Sequence, residues 1–112
     1  MLSFQKLDVY QRSIDFLALT AEIREDVPRG SSDLLDQLRR AASSVSLNIA
    51  EAAGRATTAA AARIYAIARG SAMECAAVLD ALVALRVVRD ERRQAGIAVL
   101  ERVVAMLTKM AR

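Results

Sequence analysis

No histidine occurs in the 112 residues, which removes the usual general base and the commonest metal ligand. Tryptophan is also absent, and aromatic residues make up only 4% of the chain. One proline and four glycines leave few turns, so the elements must be few and long. Cys75 is the only cysteine, so no disulfide can form within the chain. Its setting, AMECAAVL, reads as a small buried thiol. Of the sixteen basic residues only Lys6 and Lys109 are lysines. The first residues, MLSFQKLDVYQ, hold no apolar signal core. No apolar run reaches the ~18 residues of a membrane span. A reducing cytoplasm is the expected setting, with no membrane partner.

What is present is apolar and aliphatic. The hydrophobic content is 54% and rests on Ala, Leu, Val and Ile. With so few helix breakers, this composition predicts an all-α protein. Residues 1–112 suit a single domain, able to bury a core without disulfide or metal. The apolar surplus further suggests that another subunit covers part of the surface. The net charge of +3 and the isoelectric point near 9.6 lean towards an anionic partner. An arginine- and alanine-rich composition equally fits a host with GC-rich DNA.

Four helical patterns follow one another. The first, about 7–26, carries Val9, Tyr10, Ile14, Leu17, Ala21 and Ile23 as its apolar face. Val27-Pro28-Arg29-Gly30-Ser31 ends it, and Ser32 is a suitable N-cap for the second, about 33–53. The third, about 58–86, can be capped by Thr57 or Thr58. It runs through Ile64, Ile67, Ala68, Ser71, Cys75, Val78, Leu79, Leu82 and Leu85. Gly70 interrupts it, and close approach of another helix would offset its cost of about 1 kcal/mol relative to Ala. The fourth, about 91–111, is capped by Asp90 and carries Ile97, Leu100, Val103, Val104, Leu107 and Met110. Short connections predict an antiparallel up-down-up-down four-helix bundle.

That topology gathers Arg29, Arg86, Arg89, Arg92 and Arg93 at one end. Residues 1–26 sum to −2 and residues 89–112 to +3. The end is either a solvated helix terminus or a contact for nucleic acid.

The second helix carries an unusual combination. Leu38, Ala41, Ala42, Val45, Ile49 and Ala52 form an apolar seam. Gln37, Arg40, Ser44, Asn48 and Glu51 share the helix's expected inner side as a polar stripe with the same period, continued by Arg55 four residues after Glu51.

The stretches FQKLDVYQRSIDF, QLRRAASSVSLNIAEAAGR and IARGSAMECAAVLDA resemble the bacterial four-helix-bundle family, also called the 23S rRNA intervening-sequence protein family. Gln37, Leu38, Arg40, Ala41, Ser44, Val45, Asn48, Ile49, Ala50, Glu51, Gly54 and Arg55 match its central motif. Ala68, Gly70, Ser71 and Glu74 match a second one. The resemblance implies a four-helix bundle, a homopentameric assembly and no established enzymatic activity. A related branch, the accessory proteins of diversity-generating retroelements, implies a reverse-transcriptase or nucleic-acid partner. Two departures stand out. Ala52 replaces the glycine that usually follows the glutamate, and an alanine run, Ala59–Ala62, replaces aromatic or acidic residues early in the third helix.

Three readings of the polar residues follow. Gln37, Arg40, Ser44, Asn48, Glu51, Arg55, Arg69, Ser71 and Glu74 could form a polar packing and assembly network. They could instead form a docking surface for RNA or protein, or a catalytic or ligand site. For catalysis, no nucleophile–base pair occurs, and di-iron bundles use Glu-x-x-His pairs that this chain lacks. No phosphate-cradling glycine loop is present. No catalytic residue, metal ligand or cofactor is therefore assigned. The expected partner is a second copy of the chain, with RNA or a nucleic-acid enzyme as the alternative.

Overall fold

The computed structural model describes residues 1–28, 30 and 32–112. Its α-helices are α1 (Asp8–Glu25), α2 (Ser32–Ala53), α3 (Thr58–Ala84) and α4 (Asp90–Met110), and no strand occurs among the described residues. A short 3-10 turn, Ser3–Lys6, precedes them and packs on α1 and α2. Phe4 meets Tyr10 edge-on there, with ring centroids 4.9 Å apart. Each helix lies beside its two neighbours around the bundle, α1 closing on α4, and among the described residues no diagonal pair brings its backbones close. This is the up-down-up-down arrangement of a four-helix bundle, 44 × 26 × 21 Å.

The ends of the helices follow local chemistry. Thr57 caps α3, its Oγ1 accepting from the Ala60 N–H at 3.1 Å. At the other end of α3, Arg86 takes φ 60°, and the N–H groups of Arg86 and Val87 donate to the carbonyls of Val83 and Leu82, both at 2.9 Å. These are the paired bonds of a Schellman turn, with arginine in the left-handed position that glycine usually fills. Helix α3 therefore stops at Ala84, two residues before the end its pattern predicts. Two expected caps lie inside their helices instead. Arg89 precedes α4, and Asp90 accepts from Gln94 Nε2 at 2.6 Å. Ser32 opens α2, so the cap position falls outside the described residues.

The core is a single cluster drawn from all four helices, with Phe16, Ile23, Leu38, Ile49, Leu79, Leu82, Val103 and Leu107 fully enclosed. Its α1 stripe is Val9, Ser13, Phe16, Thr20 and Ile23. Ile14 and Ala21, expected inside, face solvent. The buried hydroxyls are tolerated because each has partners. Ser13 donates to the Tyr10 carbonyl at 2.6 Å, Thr20 to the Leu17 carbonyl at 2.6 Å, and Ser46 of α2 to Ser13 at 2.9 Å.

The close approach expected at Gly70 occurs at Gly96. Gly96 is buried, and a Cβ there would stand 2.8 Å from Leu79 Cδ1 and 3.3 Å from Phe16 Cε1. Gly70 is exposed, and a Cβ there would meet no atom within 4 Å.

Candidate assembly surface on the second and third helices

Helices α2 and α3 run antiparallel, and their 3.6-residue period brings the two polar stripes to one seam. At its centre Ser44 Oγ and Ser71 Oγ are 2.8 Å apart. Asn48 Nδ2 donates to the Ser44 carbonyl at 2.8 Å and to Ser44 Oγ at 3.0 Å, and either hydroxyl can donate across the Ser44–Ser71 pair. All three side chains are half-buried. Towards one end, Gln37 Nε2 reaches Glu74 Oε2 at 3.4 Å, a long bond. Towards the other, Arg55 pairs with Glu51 along α2.

Two residues of the predicted group lie apart from it. Arg69 turns to α4, its Nε donating to Thr108 Oγ1 at 2.9 Å, and Thr108 in turn donates to the Val104 carbonyl. Arg40 is exposed and makes no ion pair among the described residues; with Arg39, Ser43, Ser44, Leu47 and Asn48 it lines a shallow hollow on the outer surface. Apolar side chains flank the polar centre on its solvent side. Leu47 is 70% exposed and Ile67 53%. Leu47, Arg39 and Thr108 were not singled out from the sequence. Only the position of Leu47 within the polar stripe, three residues after Ser44, signalled its exposure.

On the inner side of α3, burial and the nearby Glu74 charge push the Cys75 thiol up to about 12. It is a protonated core group, unsuited to nucleophilic work. Among the described residues no cluster of His, Cys, Asp and Glu could hold a metal ion. No helix among them is long and apolar enough to cross a membrane.

Two arginines of the arginine-rich end, Arg92 and Arg93, are neutralised from within. Arg92 Nε donates to Asp26 Oδ2 at 2.7 Å and its Nη1 lies 3.3 Å from Glu22. Arg93 Nε donates to Asp80 Oδ1 at 2.7 Å, with Asp90 at 3.6 Å. These hydrogen bonds, first to Asp26 and Asp80, raise both guanidinium groups above their ordinary range. Arg86 and Arg89 are exposed without an ion pair among the described residues, and together with Arg92 they line a hollow floored by Ile23, Val83 and Val88. Arg29 lies outside the described residues.

A family model described as 23S rRNA-intervening sequence protein matches residues 5–109. The chain belongs to the 23S rRNA-intervening sequence protein family. The fold is also similar to the crystal structure of a protein of unknown function from the S23 ribosomal protein family of Bacteroides thetaiotaomicron. That similarity has a TM-score of 0.84 at 18% identity and covers 93% of this chain and 98% of the other. No curated relative matches the chain. In this family member the polar stripe on α2 lies on a solvent-facing seam and not on the inner side expected of it, because Leu38, Ala41, Ala42, Val45 and Ile49 fill the core, and Leu47 and Ile67 stand exposed beside it.

Proposed function

We propose that this member of the 23S rRNA-intervening sequence protein family is a non-enzymatic building block that self-associates through the outer face of α2 and α3. A homopentamer, the number implied by the family resemblance, is the assembly to test, in a cytoplasmic setting. One observation carries the reading: Gly70 sits deep inside α3 where nothing of its own chain needs a missing side chain. A mid-helix glycine costs about 1 kcal/mol relative to alanine, so its return has to come from outside the protomer. Leu47 and Ile67 supply apolar area beside it, and Ser44, Asn48 and Ser71 supply a fixed polar centre. Sedimentation velocity and light scattering at micromolar concentration test the proposal. We expect a discrete oligomer, dispersed by Leu47→Asp and by Gly70→Leu. A monodisperse wild-type monomer would sink it.

Arg86 and Arg89 support a second reading as an RNA or DNA accessory factor, since both are exposed and make no ion pair among the described residues, with Asp26 and Glu91 lining the same hollow. Its test is salt-dependent retention of structured RNA, lost in Arg86→Glu/Arg89→Glu.

A further inference from the structure

The assembly reading leaves open which surface of the second copy covers the α2/α3 face. That face is basic: Arg39, Arg40 and Arg63 are exposed and make no ion pair among the described residues. Its acids do not balance them: Glu51 is already paired with Arg55, which leaves Glu74 and, at the start of α2, Asp33 against three arginines. Two such faces brought together by a two-fold axis would set these arginines against their own copies.

The outward stripe of α1 has the opposite character. Ile14, Asp15, Ala18, Ala21, Glu22 and Glu25 recur at three- and four-residue spacing, and all are exposed. Asp15 lies 2.9 Å from Arg12 and Glu22 3.3 Å from Arg92, yet their side chains remain 59% and 60% exposed. Glu25 has no ion pair among the described residues. Arg24 is turned off the stripe to Asp36 at 2.5 Å. Ile14 is 38% exposed, and the two alanines beside it allow a neighbouring backbone to come close.

Resting on the assembly reading above, we infer that the acidic outer stripe of α1 in one copy docks on the basic α2/α3 face of the next. Asp15, Glu22 and Glu25 meet Arg39, Arg40 and Arg63, while Ile14 and the alanines meet Leu47, Ile67 and Gly70. The two surfaces differ, so the contact is heterologous. Every protomer offers one of each, and the chain of contacts closes into a ring when the rotation between neighbours divides a full turn.

Charge exchange tests this. Arg39→Glu/Arg40→Glu makes the α2 side acidic, and Asp15→Lys/Glu25→Lys makes the α1 stripe basic. Each double variant alone should weaken assembly by at least roughly 100-fold, because like charges then face each other. Combining all four substitutions in one chain exchanges the two charges, so acid faces base again at every contact and assembly with the wild-type copy number should return, read by native mass spectrometry. Wild-type assembly should also weaken as sodium chloride is raised, a check that needs no variant. If Asp15→Lys/Glu25→Lys assembles like the wild type, or if the fourfold variant, folded by circular dichroism, stays monomeric, the head-to-tail pairing is overturned while self-association stands. A wild-type monomer would instead overturn the assembly reading beneath it.

Discussion

Gly70 and Gly96 both interrupt long helices, yet a methyl group added at Gly96 would press on Leu79 and Phe16, whereas one added at Gly70 would meet nothing within 4 Å. The same contrast runs through the surfaces around them. On its inner side the bundle is filled, and its hydroxyls are paired inside the protein, as at Ser13 and Ser46. At the α3–α4 and α1–α4 seams, arginines of α4 reach across to carboxylates at Asp80, Glu22, Asp26 and Asp8. The outer α2/α3 face has paired hydroxyls too, but around them lie bare leucine and isoleucine, unpaired arginines and an unfilled glycine. The finished surfaces account for the stability of one chain. On the proposed assembly, the unfinished one is where a second chain would contribute.

Four measurements can break or sharpen this contrast. The largest effect is expected on the inner side of α3, at alkaline pH. The Cys75 thiol is pushed from an ordinary value of 9.0 up to about 12. Its contribution is therefore fully present below pH 9 and is lost as pH rises from 9 towards 12, where the unfolded chain gives up a proton that the folded chain keeps. Urea titrations should show stability falling by up to about 1.4 kcal/mol per pH unit in that window. Cys75→Ala should flatten the slope.

Second in size is the difference between the glycines. Gly96→Val overfills a closed contact and should cost about 2–3 kcal/mol in chemical denaturation. Gly70→Val, judged on the dilute chain, should stay within about 0.5 kcal/mol of the wild type. Equal losses at the two sites would erase the inside–outside distinction. Third, a double-mutant cycle on Ser13 and Ser46 should return a coupling of about 1 kcal/mol, because the pair is buried. The same cycle on Ser44 and Ser71 should return less than about 0.5 kcal/mol, since water can replace a partner there. The smallest effect is Gly70→Ala, which should raise the melting stability of the dilute chain by about 0.5–1 kcal/mol. The same substitution should weaken self-association at high concentration, which thermal melts over a concentration series would separate.

Periodicity and breakers in the sequence located the helices, with starts and stops that differ from the observed ones by no more than two residues. Which side of each helix faces inwards was less accessible. Hydropathy placed Ile14 and Ala21 on the apolar face of α1, where the structure exposes them. It passed over Ser13 and Thr20, because a hydroxyl bonded to the carbonyl one turn back can be buried at little cost. The polar stripe of α2 could be read as a stripe, and its meeting with Ser71 followed from the antiparallel pairing. Arg69 escaped that reading because its partner, Thr108, lies 39 positions away on α4. Gly70 and Gly96 look alike as letters. Only the neighbours that tertiary packing places around each one tell them apart.

The buried Ser46–Ser13 bond bears on alternatives that the folded chain never adopts. A bundle lined with alanine, leucine and valine offers many alignments of nearly equal fit, since aliphatic side chains interlock at any one-turn offset. Sliding α1 past α2 by one turn, about 5.4 Å, would break the Ser46–Ser13 bond and leave Ser46 only a carbonyl of its own helix one turn back. The penalty falls on the misaligned forms and leaves the native one almost untouched. Two hydroxyl groups thereby make one alignment of an otherwise slippery helix pair the only comfortable one.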